Sequence, residues 1–288
     1  MKFRAYKDVK EFYKDTYDIL LKDEAQNLIP LGNIIIGNKG EDKYGWRDPD
    51  NWFMATVSDE KSILLTAIMT PPFNLTLYAT DNIICEGILK FFVEEIIKAD
   101  IHITGITSEK SLAEKFTKIY TASKAVNYTI RFSQRIYELT EVNTDIAEIG
   151  QLRLANEKDM AFFPYWLEGL VSESFGSHTD IKSDIETYLY HIMSDRLYVL
   201  EVNEIPVSIT KITREMENVC GIGLVYTPPY YRGYGYATSC VAKVSSIVLE
   251  RGFKKCVLYT DLSNPISNSI YKKIGYKPIC DSLDIKFE

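Results

Sequence analysis

Apolar residues recur every three or four positions at Val9, Phe12, Tyr13, Tyr17, Leu20 and Leu21, which predicts an amphipathic helix over residues 7–25. A polar, turn-rich segment, 37–45, leads to strands predicted at 52–58, 63–69 and 73–79, broken by Asp59-Glu60 and Pro71-Pro72. Helix 82–99, strand 101–106, helix 109–122 and strand 128–139 follow. The order then repeats. Strand 152–155 precedes helices at 157–174 and 180–194, the first capped by Asn156 with Asp159 at its third position. Strands 197–202, 206–212 and 219–226 form a meander whose first turn is Asn203-Glu204. After helix 236–251 come strand 256–260, helix 265–274 and two short strands at 277–279 and 282–287. The pattern predicts an α/β (α+β) chain of two similar domains, 1–142 and 143–288, joined near 140–148.

The densest chemistry lies in residues 219–238. An apolar run, half of it β-branched or aromatic, breaks at Pro228-Pro229, crosses Arg232, Gly233 and Gly235, and enters helical periodicity. Gly233 and Gly235 carry no Cβ and tolerate positive φ, so successive backbone N–H groups can converge on one anion. The following helix adds unpaired N-terminal amides and the positive end of its dipole. A pyrophosphate fits that arrangement, although glycines between strand and helix also serve as plain turn residues. The first half offers Thr80-Asp81-Asn82 after its strand 73–79, with no glycine pair and an aspartate where an anion would sit.

Arg232-Gly233-Tyr234-Gly235-Tyr236-Ala237 resembles the Arg/Gln-x-x-Gly-x-Gly/Ala signature of the GCN5-related N-acetyltransferase (GNAT) superfamily. A second stretch, from Asn264-Pro265-Ile266-Ser267-Asn268 through Tyr271 to Gly275-Tyr276, resembles that family's Asn-x-x-Ala-x-x-Leu-Tyr-x-x-x-Gly-Phe helix. The resemblance is specific over about residues 195–288 and architectural before that, and is nearest to bacterial two-domain members with a degenerate N-terminal half. It implies tandem acyl-CoA N-acyltransferase (GNAT) folds, each with a mixed, mostly antiparallel central sheet flanked by helices. It also implies acetyl-CoA as co-substrate, its pyrophosphate on the backbone of Arg232, Gly233, Tyr234, Gly235, Tyr236, Ala237 and Thr238. By position Val225, with Tyr226 and Thr227 beside it, falls where the family's splayed fourth strand holds the pantetheine arm and polarises the acetyl oxygen. Tyr271 takes the place of the family's general acid. Asn264, Ser267 and Asn268 stand where the coenzyme is contacted, Ser267 replacing the usual alanine.

The function so implied is transfer of an acetyl group to a primary amine of a small molecule or peptide by direct attack in a ternary complex. Transfer of a longer or aryl acyl group, as in glycine N-acyltransferase-like relatives, and a non-catalytic coenzyme-A-binding sensor or scaffold are the alternatives. No base is evident. Residues 219–226 hold no carboxylate, and Glu168, Glu173, His178 and Asp180, in the acidic helix pair expected to line the acceptor cleft, each read more simply as surface residues or caps.

Composition narrows the rest. A chain of 288 residues, 46% apolar and 25% charged, has room for two cores. Charges in Met1-Lys2-Phe3-Arg4 and the lack of any long uncharged apolar run predict a cytoplasmic protein with no membrane partner. Cys85, Cys220, Cys240, Cys256 and Cys280 are widely spaced in apolar runs, which predicts reduced core thiols and no metal site; His102, His178 and His191 lack ligand spacing as well. The net charge of −7 argues against nucleic acid. It divides unevenly: residues 218–288 hold nine Lys/Arg against five Asp/Glu (+4), and residues 145–217 hold six against fourteen (−8). An anionic cofactor meeting a cationic acceptor suits that split, as does a solvated acidic helical face. Oligomeric state is not legible, a homodimer being one arrangement open to the chain.

Overall fold

The computed structural model of the chain describes residues 1–40, 48–80, 86–178 and 184–288. Its strands are β1 Lys2–Tyr6, β2 Phe53–Ser58, β3 Ile63–Met69, β4 Thr76–Ala79, β5 Gly105–Glu109, β6 Tyr128–Leu139, β7 Gln151–Leu154, β8 Leu197–Val202, β9 Ile205–Glu215, β10 Val219–Tyr226, β11 Lys255–Asp261 and β12 Lys277–Phe287. Its helices are α1 Val9–Leu21, α2 Leu28–Lys39, α3 Glu86–Lys98, α4 Lys110–Lys124, α5 Phe163–Phe175, α6 Ile185–Ile192, α7 Tyr236–Glu250 and α8 Pro265–Ile274. Two compact units result: Met1–Ile136 with Thr260–Ser263 and Ile279–Glu288, and Tyr137–Tyr259 with Asn264–Pro278.

In the first unit β1, β2, β3 and β4 form an antiparallel sheet in that order, and β5 pairs antiparallel with β12, Ile106 opposite Ile285. Phe92, Phe116, Tyr120, Leu283, Ile285 and Phe287 belong to its core. The predicted helix 7–25 is α1, capped by the Asp8 side chain on the Lys10 amide, and it buries Val9, Phe12, Thr16 and Leu20 along one stripe. A second helix, α2, follows where the pattern predicted none. Its sequence, Leu-Ile-Pro-Leu-Gly-Asn-Ile-Ile-Ile-Gly-Asn-Lys, is apolar on all sides and so shows no 3.6 period. Pro30 falls in the first turn, where a missing N–H costs nothing. The expected strand 101–106 lies later, at β5, and the two short C-terminal strands are the one strand β12. Of the turn-rich segment, residues 41–45 lie outside the described residues, as do Asp81, Asn82 and Cys85.

In the second unit the ladder runs β7-β8-β9-β10-β11, antiparallel until the parallel pair β10/β11. Asn203 and Glu204 turn between β8 and β9 with φ of 50° and 64°, the hand that matches strand twist. Tyr198 and Val199, adjacent on β8, enter different clusters, so the ladder is covered on both faces. Helices α5 and α6 pack over Val199, Ile209 and Tyr226; α7 and α8 pack over Ile212, Cys220 and Ile222. The predicted helix 157–174 is a 3₁₀ turn, Glu157–Ala161, followed by α5. Its capping box is present as the spacing predicts: Asn156 accepts from the Lys158 amide, and Asp159 reaches back to the Asn156 amide at 2.8 Å. No helix among the described residues is long and apolar enough to cross a membrane.

Candidate active site

Strand β10 is paired on both sides at its start, loses its β11 partner after Gly221, and meets β9 again at Tyr226, opposite Ile209. Its parallel ladder with β11 covers Val219 to Gly221, and its antiparallel ladder with β9 shifts register between Gly223 and Tyr226. Leu224, at φ 47°, carries the shift. A branched residue in the left-handed region costs about 1–2 kcal/mol, strain of the kind that collects at functional sites. Leu224 and Val225 therefore have no registered partner in β9 or β11, and the Val225 backbone borders the slot between the diverging strands. Tyr226 and Thr227 close that end: the Ser208 hydroxyl donates to the Tyr226 carbonyl at 3.2 Å and lies 2.8 Å from Thr227 Oγ1.

The chain then makes a 3₁₀ turn, Pro229–Tyr231, and passes Arg232, Gly233 and Tyr234 before α7. Gly233 (φ 85°) and Gly235 (φ 82°) are both left-handed. A Cβ on Gly233 would meet nothing within 4 Å, and one on Gly235 would touch Ile149 Cδ1 at 3.3 Å, so the loop is open above its backbone. The first bond of α7 runs from the Ser239 amide to the Gly235 carbonyl at 3.0 Å, which leaves the amides of Tyr236, Ala237 and Thr238 ahead of it as the unpaired N-terminal donors. Gly235 is the N-cap and brings no side chain to compete for them. Positive dipole, free amides and absent Cβ atoms coincide, the donor set an anion needs.

Arg232 is turned away from that cradle. Its Nε donates to the Thr227 carbonyl at 2.8 Å, its Nη2 to both carboxylate oxygens of Glu173 at 2.9 and 2.7 Å, and its guanidinium lies 5.6 Å from the centre of the Tyr226 ring. The Tyr226 hydroxyl donates to Glu173 as well, at 3.1 Å. Gly169 on α5 makes room for it, since a Cβ there would collide with that hydroxyl. Glu173 is thus a clamp between α5 and the loop, its oxygens already occupied. Glu168 is engaged by His178 Nδ1 at 2.7 Å, and Asp180 lies outside the described residues.

Helix α8 is started by its own asparagines. Asn264 Oδ1 accepts from the Ser267 amide at 3.0 Å; Asn268 Nδ2 donates to the Asn264 carbonyl at 2.7 Å while its Oδ1 accepts from the Tyr137 hydroxyl at 3.0 Å. Tyr271, one turn further along the same face, is 7% exposed within the α7–α8 core, its ring 6.5 Å from Tyr137 and 5.9 Å from Tyr276. Its hydroxyl has no hydrogen-bond partner among the described residues, and burial pushes its pKa up to about 12. An uncommitted donor held protonated is the result.

The structure also brings together two residues that the motifs did not single out. Lys211, 5% exposed on β9, places Nζ 2.6 Å from His191 Nδ1 at the end of α6 and 4.8 Å from the centre of the Tyr190 ring. Burial, then the charge of Arg196, lowers the lysine to about 7; burial, then the lysine, lowers His191 to about 3. The sequence signals were faint. Tyr188, His191 and Ile192 share one helical stripe, and Lys211 follows Ile209 on one strand face.

Residues 163–276 match the acetyltransferase (GNAT) family model. The chain carries a GNAT domain. An acetyltransferase of the GNAT family from Colwellia psychrerythraea shares the fold over 100% of both chains, with a TM-score of 0.62 and 10% identity. A GCN5-related N-acetyltransferase from Sphaerobacter thermophilus does so over 99% of this chain and 95% of its own (TM-score 0.60, 14% identity). A tandem GNAT protein from the clavulanic acid biosynthesis pathway matches 100% of this chain and 98% of its own (TM-score 0.55, 11% identity). At such identities the likeness is one of fold, and the fold is the tandem GNAT arrangement. No curated protein matches in sequence. Acetyl transfer from an acyl-coenzyme A to an amine is the chemistry of the GNAT family.

Proposed function

We propose that the chain is an acetyl-coenzyme A-dependent N-acetyltransferase acting on a primary amine of a small molecule or peptide, with the reaction carried by the domain that begins near residue 143. One observation carries the reading: an unpaired stretch of strand at Leu224 and Val225 runs, within one short loop, into a glycine pair at positive φ that opens on the amides of α7. Such a loop fits a pyrophosphate, because nothing lies within 4 Å of where a Cβ on Gly233 would be. Acetyl-coenzyme A supplies the activated thioester when bound. The amides from Gly233 to Thr238 hold its phosphates, Val225 N–H orients and polarises the acetyl oxygen, and Tyr226 and Thr227 fix that strand end. Arg232 supports the loop from the α5 side, while Tyr234 and Tyr236, stacked with centroids 5.6 Å apart, flank it. Asn264, Ser267 and Asn268 set the start of α8, and so the place of Tyr271, which gives its proton to the departing thiolate. Buried free thiols at Cys220, Cys240 and Cys256 suit a reducing compartment, and we place the reaction in the cytoplasm.

Calorimetry with acetyl-coenzyme A, followed by a thiol-release screen with acetyl-, propionyl- and benzoyl-coenzyme A against an amine library, tests this. One binding site per chain and release fastest with the acetyl donor are expected. Two equal sites, or binding without release on any amine, would overturn it.

A further inference from the structure

Amine acetylation needs a proton acceptor on the acceptor side of the slot, and β10 has none to give. Gly223 presents no side chain there, and a Cβ built on it would meet one heavy atom within 4 Å, Thr213 Cγ2 at 2.9 Å. Bare backbone therefore borders the space next to Leu224 and Val225. The neighbouring strand fills the lack. Lys211 is the registered partner of Gly223 across the β9–β10 ladder, which puts the two Cα atoms about 5 Å apart. Ile209, two residues earlier on the same side of β9, packs with α5 and α6, so Lys211 projects to that face and away from the α7–α8 core that holds Tyr271.

Building on the acetyl transfer proposed above, the geometry points to Lys211, steadied by His191, as the group that takes the proton from the attacking amine. The 2.6 Å contact fixes the lysine nitrogen, and the His191 ring is itself held edge-on to Phe163 at 5.9 Å and beside Tyr190 at 5.5 Å. Among the described residues no carboxylate pairs with Lys211. A buried ammonium without a counter-ion is costly, so the free amine is favoured, consistent with its lowered pKa. The charged groups of the surrounding elements leave that balance in place. Just before β8 lies Arg196, which adds to the lowering; along β9, Glu215 is held by Arg196 at 2.6 Å and by Arg251 at 3.7 Å. From α5, Glu168 and Glu173 are engaged by His178 and Arg232; from α6, Tyr190 offers its ring and His191 stays neutral.

As the amine nitrogen bonds to the acetyl carbon, its N–H proton passes to the Lys211 lone pair. The C–S bond then breaks and the sulfur takes the Tyr271 hydroxyl proton. Lys211 afterwards gives one proton to water and Tyr271 regains one.

Two measurements on the full chain test the assignment. With lysines ¹³C-labelled at Cε, one resonance, absent from Lys211→Met, is expected to titrate near pH 7; a Lys211 resonance that titrates at the ordinary lysine value of about 10.4 would overturn the proposal without reference to turnover. With an acceptor from the amine screen, Lys211→Met and Lys211→Arg should each lose about 10²–10⁴-fold in kcat/KM and lose the acid limb that bends near pH 7 in the wild type, acetyl-coenzyme A affinity staying the same. Methionine keeps the stem and removes the buried amine, so the fold survives; arginine keeps the charge but cannot give up its proton. If the wild type transfers and both variants keep rate and limb, the lysine assignment alone falls. If the wild type binds the coenzyme and acetylates no amine, acetyl transfer itself fails and the base with it.

Discussion

Tyr271 and Lys211 show how differently two residues of the proposed site can be written in a sequence. Tyr271 stands in a helix whose Asn-Pro start and Gly stop are local signals, so its place was legible; what the structure adds is that its hydroxyl is uncommitted and its pKa is pushed up to about 12. Against a thiol of about 8.5, a completed transfer from phenol to thiolate would be uphill by about 5 kcal/mol, so the proposed mechanism requires that proton to move as the nitrogen loses its own. Tyr271→Phe should lower kcat and kcat/KM together by about 10²–10⁴-fold and leave coenzyme affinity unchanged, because the ring and its packing remain. Steady-state kinetics beside calorimetry check this, and full turnover in the variant would make Tyr271 a packing residue. The sign of the pH dependence follows from the raised value: the phenol stays protonated through neutral and mildly basic pH, so no loss of rate from Tyr271 is expected as pH rises to about 11. Lys211 was not legible. A lysine inside an alternating strand reads as solvent-facing unless its parity is known, and register shifts at Leu200/Glu201 and at Cys220/Ile222 break the parity along β9.

At the scale of elements, the strand–loop–helix at 219–250 was readable because each part is specified locally: a β-branched run, a proline break, two glycines and a helical period. Helix α2 was not, because burial on all sides erases the 3.6 period, and β5 shifted because Gly105 is needed where the backbone of β12 presses close, an added Cβ there meeting the Ile285 carbonyl. The loop also fixes what a substitution should do. Gly235→Asp puts a side chain at φ 82°, costing about 1–2 kcal/mol, but an acidic group at a helix N-terminus recovers part of that, so the fold should survive. The same carboxylate would occupy the α7 amides and repel a pyrophosphate bound as proposed. Coenzyme affinity should fall by about 100-fold or more, whereas Gly235→Ala, with the backbone cost and no charge, should lose far less. Equal affinity in a folded Gly235→Asp protein, read by calorimetry, would remove the pyrophosphate from this loop.

The whole chain divides in a way that its repeated pattern does not announce, for residues Ile279–Glu288 belong with the first unit although they follow the second in sequence. The repeat of helix and strand patterns carries no information about which unit a terminal strand completes, since either core would accept an alternating apolar strand. Side-chain burial decides it. Leu283, Ile285 and Phe287 are 3%, 1% and 9% exposed within the first unit's core, where Phe287 lies 4.8 Å from Tyr120 and 6.3 Å from Phe116, centroid to centroid. Polar contacts reinforce them: Asn74 Nδ2 donates to Asp284 at 3.0 Å, and Arg135 pairs with Asp281 through two bonds of 2.7 and 3.0 Å. Three such side chains contribute about 5–9 kcal/mol by area, against a usual domain stability of about 5–15 kcal/mol. Deletion of residues 279–288 should therefore leave the first unit marginal or unfolded, with β5 deprived of its ladder and Phe116 and Tyr120 opened to water. Hydrogen exchange in β5 and α4 is the direct readout: protection there should collapse in the truncated chain, and a chain ending at Pro278 that kept full protection in both elements would show that the first unit closes its core without the strand.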